Sequence, residues 1–312
     1  MIALFLITGF GLLLLGGEFL VRGSVGIALK LRVSKVVIGL TLVAFATSAP
    51  ELIVSVIAAL RGKSDIALGN VIGSNIANIG LILGFTALVF KMQALRLTYR
   101  KDWIFLIGAN VLLGLFLFLG GINRVAGAIF VALLIGYNVQ KIASARKQRD
   151  LNVGEEFDVP PMPVWKGLIL LLIGAIGLKF GAQLFVGGIS SLALNLGLSE
   201  RFVSVTLVAF GTSVPELAAS LMAAKKGESD IAIGNIIGSN IFNILSVLGI
   251  TSLITPITVQ NQALVQYDFP ASFILTLLII PLMGMFKVDR LDRLEGALLL
   301  ALYVFFIGSL FL

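Results

Sequence analysis

Two glutamates stand where a carboxylate is hardest to keep. Glu51 and Glu216 each lie inside an otherwise apolar run of the chain, and a charge at the centre of a bilayer costs at least ~2.5 kcal/mol. Such a group is either paired with a base or functional. Lys179 is the one basic residue well inside an apolar run, and it could serve at most one of them. Thr47 and Ser48 precede Glu51 by four and three positions, so both hydroxyls share its helical face. Thr212 and Ser213 stand in the same relation to Glu216. Pro50 and Pro215 lack an N–H and crowd the carbonyl four residues back, which frees the oxygens of Ala46 and Gly211. Backbone opened at membrane depth needs a partner, and a cation is one.

A second polar stripe follows each glutamate. Asn70, Ser74 and Asn78 recur at every fourth residue of an apolar helix, and Asn235, Ser239 and Asn243 repeat them. Asn75 and Asn240 point roughly 100° away and read as helix–helix hydrogen bonding. Gly69, Gly73, Gly234 and Gly238 give small-xxx-small spacings that permit close helix approach. The GNxxGSN pattern is no phosphate loop, because no Lys follows it. The chain has no His and no Cys, which excludes disulfides, thiol chemistry, the usual zinc and haem ligation, and nucleophiles activated by histidine. What remains is oxygen, the ligand of hard cations. Two carboxylates among hydroxyl, amide and carbonyl oxygens suit one Ca²⁺, which takes about six to eight oxygens; Mg²⁺ keeps its waters and fits less well. Several Na⁺ ions could share the same set.

The elements that hold these residues are membrane spans. Of 312 residues 58% are apolar and 12% charged, against about 25% charged in soluble domains, and the mean hydropathy is +1.07. Apolar windows predict ten helices, near 2–21, 35–60, 66–90, 102–121, 123–140, 165–187, 201–224, 231–255, 267–286 and 292–311, with Pro50 and Pro215 interrupting the second and seventh. No basic region precedes the first apolar run, so it reads as a span and not a cleavable signal. Trp103, Trp165, Tyr99 and Tyr267 sit at span edges as interfacial anchors. Glu18 reads as an i,i+4 partner of Arg22, and Asp65 and Asp230 as caps at helix starts.

The stretch 141–163, charged and Pro-rich, reads as a linker between residues 1–140 and 164–312. TLVAFATSAPEL at 41–52 returns as TLVAFGTSVPEL at 206–217, and over Thr41–Gly84 against Thr206–Gly249 29 of 44 positions are identical. Five helices per copy is odd, so the copies enter the membrane in opposite directions, the architecture of secondary transporters. Alternate loops carry 18 and four Lys or Arg. That places both termini outside and 141–163 in the cytoplasm. It also accounts for the net charge of +7 without nucleic acid.

TSxPE followed by GNxxGSN, present once in each half, resembles the two repeats of the Ca²⁺/cation antiporter superfamily, in its prokaryotic sodium/calcium exchanger-like branch. The resemblance implies an all-α polytopic protein of ten helices in two inverted five-helix repeats, with the second, third, seventh and eighth helices as core. It implies that the first and sixth slide across that core. It makes Glu51, Glu216, Thr47, Thr212, Ser74 and Ser239 cation ligands, with Ser48, Ser213 and the carbonyls of Ala44 and Ala209 nearby. Some members carry Asp where this chain has Asn78 or Asn243, so dependence on K⁺ is not expected. The function expected is Na⁺-driven Ca²⁺ antiport in a prokaryotic inner membrane, in the direction of Ca²⁺ export. Ca²⁺/H⁺ exchange through the same glutamates is the alternative, since a desolvated carboxylic acid can titrate near neutral pH. A channel fits inverted symmetry less well, and no hydrolytic apparatus of an enzyme is present. Beyond the two ions and the bilayer, no cofactor and no obligate protein partner is expected.

Overall fold

Apolar residues on nearly every face of long segments dictate helices that satisfy their own backbone groups, the open-chain solution available in lipid. In the computed structural model, which describes residues 2–151, 162–196, 211–283 and 289–310, such helices take up most of the chain. They are α1 (Ile2–Leu31), α2 (Lys35–Leu60), α3 (Ser64–Val89), α4 (Arg96–Phe118), α5 (Arg124–Leu151), α6 (Val164–Asn195), α7 (Val214–Lys225), α8 (Ser229–Ile254), α9 (Leu264–Leu282) and α10 (Arg293–Ser309). Eight of these are long and apolar enough to cross a membrane; α7 has 12 described residues and α10 has 17.

Two short antiparallel ribbons define two faces. Strand β1 (Met92–Gln93) pairs with β4 (Arg290–Leu291). Strand β2 (Gly121–Ile122) pairs with β3 (Ile257–Thr258) on the opposite face, where Asp65 accepts the amide of Gln260 at 3.0 Å. The β1–β4 face carries most of the basic residues and four ties between distant elements: Lys35 to Glu228 at 2.7 Å, Tyr99 to Asp230 at 2.7 Å, Lys226 to Glu18, and Lys141 to Asp102.

Several sequence expectations are corrected here. Glu18 pairs with Lys226 of another helix and not with Arg22. Asp65 and Asp230 stand in the first turns of α3 and α8 but cap neither; each accepts from another element. Tyr99 is fully buried on Asp230 rather than interfacial, and Trp103 donates to the carbonyl of Thr276 at 2.7 Å. Trp165 and Tyr267 are exposed, as anchors should be. Helix α5 continues to Leu151, so the first eleven residues of the expected linker are helical. Their Ala, Lys, Arg and Gln are good helix formers. Pro50 sits inside a helix it does not end, and the irregular turn of α2 lies earlier, as a π-helix over Gly39–Val43.

The core sits around α8, whose central window is wholly buried, and α3, whose window is 78% buried, while α1 and α6 face outward with 33% and 22%. Helices α2 and α7 pack on this centre, as the resemblance implies. Gly39 in the π-turn meets Gly234 of α8, where an added Cβ would lie 3.2 Å from the Gly234 Cα. A Cβ on Gly238 would lie 2.7 Å from the carbonyl of Leu40. These glycines therefore bring α2 against the polar stripe of α8. The equivalent turn of the second repeat, residues 204–208, lies outside the described residues.

Helices α1 and α6 run against each other through glycines spaced by seven, Gly9, Gly16 and Gly23 facing Gly167, Gly174 and Gly181. A seven-residue repeat keeps one stripe in register along a left-handed crossing. An added Cβ on Gly16 would sit 2.7 Å from the Leu178 amide nitrogen, whereas one on Gly11 meets nothing within 4 Å. Gly16→Val should therefore destabilise the protein by about 1–3 kcal/mol through overpacking, with Gly11→Val within about 0.5 kcal/mol of wild type. Unfolding in detergent by denaturant titration reads both; equal losses would show that the seam is not close-packed.

Candidate cation site

The two halves meet at the middle of the bundle through glycine contacts and through hydrogen bonds between polar side chains. Glu51 and Glu216 are each 1% exposed, and all four of their side-chain oxygens lack a protein hydrogen bond among the described residues. They lie within electrostatic range of one another. None of the ion pairs among the described residues involves either, so the alternative of a Lys179 partner does not hold. Two buried negative charges without a base ask for a cation.

Most of the expected oxygen-bearing residues are shielded from solvent. Thr47, Ser48, Ser74, Ser213, Ser239, Asn78 and Asn243 are all buried. The Thr47 hydroxyl hydrogen-bonds to the Asn235 Oδ1 at 3.1 Å and shares a bond of 3.3 Å with Ser239 Oγ. It also lies 3.4 Å from the carbonyl of Ala44, which is fully buried. It is near enough to Glu216 to act on its carboxylate, although no well-formed hydrogen bond joins them. Thr47 thus links the first repeat's broken helix to the second repeat's stripe. Thr212, its counterpart, is half-buried, and Ala209 lies outside the described residues.

The asparagines are arranged so that each presents an oxygen. Asn78 donates its Nδ2 to Asn240 Oδ1, and Asn243 donates to Asn75 Oδ1, both at 3.0 Å. The Oδ1 atoms of Asn78 and Asn243 are buried with no protein donor among the described residues. Asn75 and Asn240 do make helix–helix bonds, and their partners are the ligand candidates themselves. The π-helical turns at Ala77–Leu83 and Asn243–Leu248 begin beside these asparagines, a common form of helix irregularity at functional positions.

One pair was missed in the sequence. Asn70 donates to Ser55 Oγ at 2.9 Å and to the Glu51 carbonyl at 3.2 Å, and Asn235 donates to Ser220 Oγ at 3.2 Å. Ser55 and Ser220 follow the two glutamates by four residues in both copies, a repetition that would have revealed them. They fix which atom of each amide faces the site.

A cleft of about 350 Å³ leads toward this centre between α2, α6 and α7, lined among others by Pro50, Val54, Lys179, Gln183, Thr212 and Pro215. Its lining occupies the halves of these helices that point away from the β1–β4 face. In the other half the gap between α1 and α7 is closed, since a Cβ on Gly17 would meet Met222 Cβ at 3.1 Å and the Ala218 carbonyl at 3.2 Å. A cleft bordered by Pro50 and Pro215, each next to one glutamate, thus lies in one half of the bundle, and the seam between α1 and α7 is closed in the other.

Buried carboxylates between interrupted helices of two inverted repeats define a secondary transporter of cations, and the protein is an integral membrane protein. The chain belongs to the sodium/calcium exchanger family, whose model, described as sodium/calcium exchanger protein, matches residues 1–143 and 166–312. It is similar to the sodium/calcium exchanger MaX1 of Methanosarcina acetivorans, 32% identical and covering 99% of this chain and 98% of that one. It is also similar to an uncharacterized membrane protein of Methanocaldococcus jannaschii, 35% identical over 98% of this chain and 97% of the other. A solved structure of the sodium-calcium exchanger NCX_Mj superposes with a TM-score of 0.80 at 35% identity, covering 98% of this chain and 97% of that one.

Replacing Ser55 or Ser220 by Ala removes one acceptor from an amide that orients the site. Each should weaken Ca²⁺ binding by about 0.5–1.5 kcal/mol, roughly twofold to tenfold, in a ⁴⁵Ca²⁺ equilibrium-binding titration. Unchanged affinity in both variants would remove Asn70 and Asn235 from the site.

Proposed function

We propose that the protein exchanges Na⁺ for Ca²⁺ across a prokaryotic inner membrane by alternating access and carries Ca²⁺ outward. The observation that carries this reading is the pair of buried glutamates whose four oxygens have no protein partner among the described residues. Two negative charges are neutralised by one Ca²⁺ or by Na⁺ ions, and the empty pair pays several kcal/mol per ion to cross an apolar barrier. Only loaded forms then cross at speed, which makes the movement of one ion conditional on the other. The cation ligands are Glu51, Glu216, Thr47, Thr212, Ser74, Ser239, Asn78 and Asn243, with Ser48, Ser213 and the carbonyls of Ala44 and Ala209 beside them. The ions are cargo, and the chemistry needs no resident cofactor.

The distribution of Lys and Arg supports a cytoplasmic β1–β4 face, with both termini outside. On that assignment the cleft at Thr212 opens outward. The two repeats span 1–140 and 164–312, and the segment between them is cytoplasmic. A cysteine at Ser144, exposed on α5, should resist impermeant thiol reagents applied to intact cells and react once the membrane is opened. Labelling from outside would reverse the orientation.

Proteoliposomes loaded with Na⁺ and diluted into ⁴⁵Ca²⁺ at clamped pH, with choline in place of K⁺, test the exchange. Uptake should require the Na⁺ gradient and proceed without K⁺, because Asn78 and Asn243 add no further carboxylate. Glu51→Gln and Glu216→Gln should each reduce it to background while leaving a monodisperse protein. Flux that ignores Na⁺ and follows a pH gradient would establish Ca²⁺/H⁺ exchange instead, and near-normal flux in either variant would overturn the site.

A further inference from the structure

Lys179 is the basic residue that the cation site does not use. It is the sixteenth of 32 residues in α6, about 24 Å from either helix end at 1.5 Å per residue. A lysine side chain bridges such a depth to neither interface by snorkelling, which serves residues near helix ends. Its ammonium lies 5.8 Å from the Phe180 ring centre and it makes no ion pair among the described residues. It lines the same cleft as Thr212, Pro50 and Pro215. A positive charge at this depth is solvated where water enters, and the prolines bordering this cleft each stand next to one glutamate.

The geometry points to Lys179 as a specificity-determining residue that repels cations in the outward cleft and does so twice as strongly for Ca²⁺ as for Na⁺. The inference rests on the cation-site reading above. The repeat equivalent, 165 positions earlier, is Leu14, which borders a cavity with Phe10, Leu13, Phe85, Leu221 and Lys225, so the charge at this position belongs to one repeat alone.

Lys179 and the residues that immediately precede the two glutamates, Pro50 and Pro215, border one cleft of about 350 Å³. A separation on the order of 10 Å and an effective dielectric of about 40, between protein surface and water, make one unit of repulsion worth about fourfold in affinity and about sixteenfold for a doubly charged ion. Equilibrium binding of ⁴⁵Ca²⁺ and ²²Na⁺ to purified protein in nanodiscs tests this with two neutral variants, Lys179→Met and Lys179→Gln, and the charge-retaining Lys179→Arg. Each neutral variant should tighten Ca²⁺ by about the square of the factor by which it tightens each Na⁺, while the Arg variant stays near wild type. Equal factors for both ions, no change, or weaker Ca²⁺ binding would overturn the role of Lys179. Glu51→Gln in the same assay separates the two claims. Ca²⁺ binding that survives it overturns the site itself and the inference with it, whereas its loss alongside flat Lys179 variants overturns the inference alone.

Discussion

The whole bundle answers to one constraint, two carboxylates held at the depth of the membrane with no ion pair to a base among the described residues. Burying Glu51 and Glu216 together sets up repulsion that only cations relieve, so everything within reach must offer oxygen and nothing may offer positive charge. Thr47, Ser239, Asn78 and Asn243 obey that rule. The same constraint explains why conduction does not follow from having a charged centre: an empty pair is costly to move through an apolar barrier. Loading is the condition for movement.

Bringing the two glutamates together requires helices to approach more closely than side chains usually allow. Gly234 and Gly238 let the π-turn of α2 lie against α8, and the cross-pairs Asn78–Asn240 and Asn243–Asn75 lock α3 to α8. That centre is tied and buried. Helices α1 and α6 form a second unit, joined to each other by backbone-to-backbone glycine contact along three heptads. Their contact with α7 is close at Gly17, while Lys179 lines a cleft between α2, α6 and α7. Inverted symmetry supplies the second arrangement, with the open and closed seams exchanged.

Much of this is legible in the residues. The glutamates, their hydroxyl neighbours and the polar stripes stand out because each polar residue is an exception in an apolar helix and appears twice at the same offset. The glycine approach at Gly234 was likewise readable from spacing. The π-turns were not: in a helix apolar on every face, one extra residue per turn leaves no mark on the pattern. Partners across helices were also hidden. Glu18 has Arg22 at the right spacing on its own helix, yet Lys226 lies closer once α1 packs on α7. Asp230 has the position of a cap, but the buried hydroxyl of Tyr99 claims it. Local rules fail where a tertiary partner offers a drier and better-oriented bond.

The asparagines at 78 and 243 show how charge and packing agree on one residue type. Each must supply an oxygen to the site and, through the other end of the same amide, a donor to the opposite repeat. Aspartate could meet the first demand but not the second. Its second oxygen would face Oδ1 of Asn240 or Asn75, acceptor against acceptor, until that amide turned over. A turned amide would in exchange offer its Nδ2 as a donor, and the carboxylate would bring a third negative charge to a site built for two. Asparagine therefore fixes the charge of the site at the level two glutamates set, while tying the repeats together through the atoms the cation does not use.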